Sequence, residues 1–124
     1  MINKNELQTG SIVSFQNNIY ILKRNDFQFS DLFNHFNAIP TTQEWLQKFG
    51  FQKSDLLKMD SGIYYHPNFN KLSVTIKNGL ANEIIIYISE NNWKTLAFNI
   101  GYVHLFQNKW YQLTKIWSSI NQIK

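Results

Sequence analysis

The chain has 124 residues, of which 44% are hydrophobic and 16% aromatic, with no cysteine and a formal net charge of +4. This length and composition predict one folded domain over residues 1–124 and exclude an intrinsically disordered chain, while the lack of cysteine excludes a disulfide scaffold, a zinc ribbon and a cysteine nucleophile. No apolar run reaches the length of a membrane span and the first residues do not form a signal peptide, so we expect a soluble cytoplasmic protein with no membrane partner.

The charges are unevenly distributed along the chain. Residues 1–90 carry eight basic and eight acidic side chains, whereas residues 91–124 carry four lysines and no acid. The net charge therefore belongs to the last quarter, where a positive field could steer an anionic partner. The same lysines could instead complement the C-terminal end of a helix dipole, and both interpretations stay open.

The first predicted element is a β-hairpin. Residues 11–16 and 19–24 have the apolar character of strands, and Asn17-Asn18 between them is a turn sequence. Two strands alone are marginal in water, so we expect this hairpin to extend a larger sheet.

Residues 25–39 allow two interpretations. Ser30 is a suitable N-cap for a short helix over 31–37, whose apolar side chains would share one side. Alternatively, Phe27 and Phe29 continue a strand. The sequence does not decide between them.

A helix is predicted after residue 40. Thr41-Thr42 supplies a hydroxyl cap and Glu44 lies in the first turn, while Gly50 is a typical C-cap with Phe51 able to fold back on the helix. Three large apolar side chains share one face of this helix: Trp45, Leu46 and Phe49.

From residue 62 onward the pattern predicts an antiparallel meander of about four strands, over residues 63–66, 71–77, 83–88 and 93–98. The turns between them are marked by Pro67-Asn68, Asn78-Gly79 and Asn91-Asn92. In the second strand, Leu72, Val74 and Ile76 alternate toward the core. Residues 84–88 are all apolar, which predicts a central strand that is covered on both faces.

The last predicted element is an amphipathic helix, which Asn99 can cap. Its apolar stripe recurs at spacings of three and four: Val103, Phe106, Trp110, Leu113 and Trp117. Ile120 and Ile123 continue roughly the same face, and the stripe predicts docking on the meander. The predicted fold class is α+β, an antiparallel sheet (the N-terminal hairpin plus the meander) with two or three helices packed on it.

No motif in the sequence specifies a reaction. His35, His66 and His104 fall in three different predicted elements, without the spacing of metal ligands. Asp31 and His35 have i, i+4 spacing, which fits an ion pair as well as a catalytic dyad, and no nucleophile is apparent near them. The scattered glycines form no phosphate loop. We therefore expect no enzyme, no metal and no cofactor.

Aromatic and lysine side chains form the candidate binding set. Bases stack on rings while lysines follow phosphates, so such residues can bind single-stranded nucleic acid. The candidate partner-binding residues are Tyr64, His66, Lys71, Lys77, Lys94, Lys109, Tyr111 and Lys115. The four tryptophans, at 45, 93, 110 and 117, lie in amphipathic registers that are more typical of a core.

Three stretches of the chain carry a family resemblance. They are Asn5-Glu-Leu-x-x-Gly10-x-x-Val13, Pro40-x-Thr-x-Glu-Trp-Leu-x-x-Phe-Gly-Phe51 and Tyr102-Val-His-x-x-Gln-Asn108. Together they resemble small phage and prophage proteins of Bacteroidota, for which no activity is known. After Thr114 the chain departs from that group, with Lys-Ile-Trp in place of a more acidic ending.

The resemblance implies a phage setting, and small phage proteins without a catalytic site usually act by binding. The expected function is a non-enzymatic, anti-CRISPR-like inhibitor of a bacterial defence nucleoprotein, such as a type VI RNA-guided RNA nuclease or its guide RNA. The expected partner is thus a bacterial host protein or ribonucleoprotein. The alternative is a stand-alone module that binds RNA or single-stranded DNA.

Overall fold

The computed structural model describes residues 2, 4–53, 62–89 and 92–119. These residues group into two compact units, one from Met1–Pro40 and Tyr102–Ser118, the other from Thr41–Gly101 with Ser119. The predicted α+β class is confirmed, because the described residues form antiparallel sheets of three and five strands with two α-helices. The single domain expected over residues 1–124 stays a prediction.

The regular elements follow one another along the chain with short connections. The strands are β1 (Ile12–Phe15), β2 (Asn18–Ile21), β3 (Phe36–Asn37), β4 (Gln52–Lys53), β5 (Ile63–His66), β6 (Phe69–Lys77), β7 (Leu80–Ser89) and β8 (Asn92–Ala97). The α-helices are α1 (Gln43–Lys48) and α2 (Val103–Thr114). Short 3-10 helices span Lys4–Glu6, Arg24–Gln28 and Ser30–His35.

The predicted N-terminal hairpin is present, with its turn one residue earlier than expected. Strands β1 and β2 are antiparallel, and Phe15 pairs with Asn18. The turn residues are Gln16 and Asn17, with φ of 52° and 65°. Two positive φ values are typical of a type I′ turn, whose twist matches that of the strands, and Asn18 becomes the first residue of β2.

This hairpin does not extend the meander, which corrects the expectation of one sheet. It pairs with β3 instead, in the strand order β2-β1-β3. The rings of Phe15, Tyr20 and Phe36 contact one another with centroids 5.7–5.8 Å apart. Aromatic contacts of this kind, together with a third strand, give the hairpin an apolar face to bury within its own unit.

Residues 25–39 are mainly helical, but as 3-10 helix: they form the end of one 3-10 helix, a second one over Ser30–His35 and the short strand β3. The alternative that Phe27 and Phe29 continue a strand is wrong, because Phe27 lies in the first of these two 3-10 helices and Phe29 directly follows it. Asp26 stabilises the start of this stretch, because its Oδ2 accepts hydrogen bonds from the Lys23 N–H (2.7 Å) and the Tyr20 hydroxyl (2.8 Å). The buried core of this unit includes Ile2, Leu7, Val13, Leu22, Phe33 and Phe36.

The helix α2 is shorter than the apolar stripe predicts. Its N-cap is Tyr102 and not Asn99, and it ends where Lys115 adopts a left-handed φ of 63°. Leu113 is 38% exposed, and Trp117 lies beyond the helix. Within its unit α2 packs on β1 and on the 3-10 helix Lys4–Glu6, whereas the stripe predicts docking on the meander. Residues 120 and 123 lie outside the described residues.

The helix α1 begins and ends where the sequence predicts, but without the predicted hydroxyl cap. Thr42 is its N-cap residue and makes no side-chain cap hydrogen bond, and the helix ends in a Schellman motif. In that motif the Phe51 N–H donates to the Leu46 carbonyl (2.9 Å) and the Gly50 N–H to that of Gln47 (3.0 Å), with Gly50 at φ 93°. The side chains Trp45, Leu46, Phe49 and Phe51 are all buried.

The meander is confirmed, and it gains the two-residue strand β4 at one edge, in the order β4-β5-β6-β7-β8. The predicted turn at Asn78-Gly79 has φ of 55° and 81°, which is again typical of type I′. In the predicted turn at 91–92, residue 91 lies outside the described residues and Asn92 belongs to β8.

The expectation that residues 84–88 are covered on both faces is wrong for the end of the strand. Ile84 and Ile85 are buried, whereas Tyr87 is 45% and Ile88 58% exposed. The pairing of β7 with β6 ends at Ile86, so the last residues of β7 lie beside β8 alone and have fewer neighbours to cover them.

Candidate interaction site

The structure divides the predicted binding residues between the two units. Five belong to the second unit: Tyr64, His66, Lys71, Lys77 and Lys94. Three belong to the first: Lys109, Tyr111 and Lys115.

Tyr64 is a core residue of the second unit. It is 3% exposed, and it pairs across the sheet with the buried Val74. Its hydroxyl donates a hydrogen bond to Oε1 of Gln43 in α1 (2.9 Å). A ring enclosed in this way has no face on which a base could stack, so Tyr64 is a core residue and not a binding residue.

His66 is half-buried among aromatic rings. Its ring lies 5.2 Å from that of Phe51 and 5.9 Å from that of Phe69, centroid to centroid. Its Nδ1 accepts a hydrogen bond from the N–H of Asn68 (3.2 Å), and burial lowers the pKa of the imidazole. These contacts indicate a neutral side chain that stabilises the β5–β6 turn.

The three lysines of the second unit are exposed on different parts of the sheet. Lys94 pairs with Ile86, which in turn pairs with Leu72, so these three share one face. Lys71 precedes Leu72 in the same strand and therefore points to the opposite face. Lys77 lies at the far end of β6, beside the hairpin turn. They do not form one cationic patch.

In the first unit, Tyr111 and Lys115 come together. They are four residues apart at the end of α2, and the Lys115 Nζ lies 5.9 Å from the centroid of the Tyr111 ring. The ring of Trp117 meets that of Tyr111 edge to face, with centroids 6.1 Å apart. Lys109 is two residues from Tyr111 and so lies on another side of the helix. We call Tyr111, Lys115 and Trp117 the α2 cluster.

A buried carboxamide and a glycine hold Trp117 in the α2 cluster. The backbone oxygen of Gly10 accepts hydrogen bonds from Trp117 Nε1 (3.2 Å) and Gln107 Nε2 (3.0 Å). Gln107 is fully buried, and it also donates to the Ser118 carbonyl (2.9 Å) and accepts from the Ile12 N–H (2.9 Å). A Cβ at Gly10, where φ is 93°, would lie 2.6 Å from Trp117 Nε1.

A polar pocket of about 340 Å³ lies between α2 and the segment before β1. We call it the amide pocket, because most of its lining is carboxamide: Asn5, Glu6, Leu7, Gln8, Asn108, Tyr111 and Gln112. Two hydrogen bonds order it, from Gln8 Nε2 to Asn108 Oδ1 (2.6 Å) and from Asn108 Nδ2 to the Glu6 carbonyl (2.7 Å).

The sequence does not predict the amide pocket, because its residues come from positions about 100 apart in the chain. Each hydrogen bond across it joins the first ten residues to α2. The quoted motifs around Asn5 and Asn108 contain several of its residues, and that was the available signal.

A buried histidine is paired with the pocket residue Glu6. His104 is 1% exposed, and its Nε2 lies 3.3 Å from Glu6 Oε1, while Nδ1 is buried without a hydrogen-bond partner among the described residues. Burial lowers the pKa of His104, and the nearby Glu6 partly opposes this. The ring is therefore neutral and orients one oxygen of the Glu6 carboxylate.

Asp31 and His35 do not form the pair that their spacing allows. Both are exposed in a 3-10 helix, where three residues make a turn and positions i and i+4 diverge. The structure shows no ion pair between them in the part of the chain it describes. Over the same residues, no group of three or more histidine or carboxylate side chains is placed to hold a metal ion.

Comparison with known proteins identifies no relative. No family model, no curated protein and no solved structure matches the chain. Among the described residues, no helix has both the length and the apolar character needed to cross a membrane. The geometry of the described residues is thus the basis for the functional argument.

Proposed function

We propose that this chain is a phage-derived, non-enzymatic inhibitor that binds a bacterial defence nucleoprotein, in the manner of an anti-CRISPR protein. The proposed target is a type VI RNA-guided RNA nuclease with its guide RNA. The observation that carries the proposal is the α2 cluster, in which an exposed tyrosine, a lysine and a tryptophan meet at the end of α2.

The α2 cluster suits a surface that contains RNA. Tyr111 is 41% exposed, and a base that stacks on such a ring gains about 1–3 kcal/mol. The Lys115 ammonium beside the ring can neutralise the adjoining phosphate. Since residues 91–124 carry no acid, nothing in that stretch repels the phosphate.

The surroundings of the α2 cluster suit the protein part of such a target. Ile116 is 43% exposed and directly follows Lys115, just beyond the end of α2. An exposed apolar side chain that accompanies an exposed aromatic ring is typical of protein–protein contacts. A surface with both characters favours a ribonucleoprotein over naked RNA.

The test is binding of the purified chain to the guide-loaded nuclease. We expect a stable complex with the wild type, and at least tenfold weaker binding for Tyr111→Ala combined with Lys115→Glu. Lys53→Glu is the matched control, since it makes the same charge change at an exposed residue of β4 in the second unit, outside the candidate binding set. Unchanged binding by the double variant, or no binding by the wild type, would refute the proposal.

The proximity of Tyr111 and Lys115 also favours the alternative, a stand-alone binder of RNA or single-stranded DNA. Affinity for free oligonucleotides should then equal that for the loaded nuclease and fall steeply with salt. Under the main proposal the loaded nuclease binds at least tenfold tighter than its guide RNA alone. Equal affinities would replace the main proposal with the alternative.

A further inference from the structure

We propose that the amide pocket binds one adenine base, presented by an unpaired nucleotide of a single strand or by a free adenine nucleotide. This inference rests on the proposed function insofar as the strand belongs to the nucleoprotein. It adds a site that recognises the base, whereas the α2 cluster supplies stacking and charge.

The size and walls of the amide pocket suit one nucleoside. Its volume of about 340 Å³ is at the lower end of small-molecule sites, which span about 300–1,000 Å³. Tyr111 belongs both to the pocket lining and to the α2 cluster, in which the Lys115 ammonium lies beside its ring. One residue thus links the pocket to the cationic end of α2.

The hydrogen-bonding groups in the pocket favour adenine. A glutamine carboxamide can accept from the adenine N6 amino group while it donates to N7. Gln112 is exposed, and its side chain makes no hydrogen bond with another described residue. Gln8 donates to Asn108 through Nε2, which leaves its Oε1 as a second acceptor for an amino group.

The carboxylate of the amide pocket adds to this selectivity. Glu6 directs Oε1 toward His104, so Oε2 is the oxygen available to a ligand. A carboxylate accepts hydrogen bonds, and the adenine amino group offers it two N–H donors, whereas uracil in a nucleotide offers one N–H between two carbonyl oxygens that the carboxylate repels. Adenine is therefore favoured over uracil at the Glu6 carboxylate.

The charges near the pocket favour a nucleotide over a cationic side chain. Glu6 is the only charged residue in the described lining, and alone it would also attract an ammonium or guanidinium group. However, Lys115 lies beside the ring of the lining residue Tyr111, and residues 91–124 contain lysines without acids. A neutral base attached to a phosphate satisfies both the carboxylate and the lysine.

The experiment measures the affinity of the full chain for AMP, UMP and the hexanucleotides of adenylate and uridylate, by quenching of tryptophan fluorescence. We expect the adenine member of each pair to bind at least tenfold tighter. Binding of AMP and oligoadenylate with equal affinity indicates a mononucleotide site, and preference for the hexamer indicates a single strand; both support the site.

The variant Gln112→Leu should reduce the adenine preference to less than threefold. Gln47→Leu, an exposed glutamine of α1 in the second unit, is the matched control and should leave it unchanged. Equal affinity for adenine and uracil in the wild type, or an unchanged preference in Gln112→Leu, would overturn the inference. Nuclease binding is also measured for the wild type and for Gln112→Leu. If the wild type binds the nuclease but does not prefer adenine, the adenine site is refuted and the proposed function is not.

Discussion

The buried carboxamide of Gln107 offers the sharpest test of how the α2 cluster is held. Replacing it with leucine keeps a similar volume and removes three hydrogen bonds at once. Three backbone groups then lose Gln107 as a partner, and for the Ile12 N–H and the Ser118 carbonyl no other side chain replaces it. The Gly10 carbonyl retains the Trp117 indole as a donor.

The magnitude follows from those two groups. A buried polar group left without a partner costs about 1–3 kcal/mol, so two of them cost about 4 kcal/mol. The added apolar surface of leucine offsets about 1 kcal/mol. We therefore expect Gln107→Leu to lower the free energy of unfolding by about 3 kcal/mol.

The assay is urea denaturation followed by tryptophan fluorescence, with Gln112→Leu as the control on the same helix. Gln112 is exposed, so its replacement should change stability by less than about 0.5 kcal/mol. In addition, Gln107→Leu should weaken nuclease binding, because Trp117 and Ser118 lose their anchor. A loss of stability below about 1 kcal/mol would refute this account of Gln107.

Two further predictions concern the same unit. Gly10→Ala should lower the free energy of unfolding by about 2 kcal/mol in urea denaturation, because its φ is 93° and the new Cβ would meet Trp117. Gly79→Ala is the control. It should cost less, since only its positive φ opposes the substitution and no atom lies within 4 Å of the new Cβ. Burial lowers the pKa of His104 below its unfolded value of 6.5, so the unfolded chain binds a proton more readily. The contribution of His104 to stability is therefore fully present above about pH 6.5 and is lost as the pH falls through the folded pKa. This loss should be smaller in His104→Gln. Equal profiles of stability against pH for the two proteins would contradict this assignment.

The features of the fold that the sequence predicts correctly depend on short stretches of the chain, such as turn residues, a helix end and alternation along a strand. The Asn78-Gly79 turn requires two positive φ values, and the α1 end requires one at Gly50, and both residue types meet these requirements with little strain. Alternation along β6 likewise identifies Val74 and Ile76 as core residues. Such features depend on a few neighbouring residues, so sequence reasoning reaches them.

The features that the sequence does not predict depend on distant parts of the chain. Periodicity groups Trp117 with the α2 stripe, but the left-handed Lys115 ends the helix and Gly10 binds the indole. Similarly, an aromatic run suggests stacking at Tyr64, whereas its cross-strand partner and Gln43 enclose it. Tertiary contacts decide which strand the hairpin pairs with and which residues meet in the amide pocket.

The central claim is that the chain inhibits by occupying a nucleoprotein and performs no reaction. Its most direct test is a titration of the chain against guide-loaded type VI nuclease, with cleavage of a labelled target RNA as the signal. The account predicts that cleavage falls in proportion to the added chain, reaches its floor at about one chain per complex, and is restored by Tyr111→Ala with Lys115→Glu. Complete inhibition at a small fraction of one equivalent, or cleavage unaffected at a large excess, would contradict it.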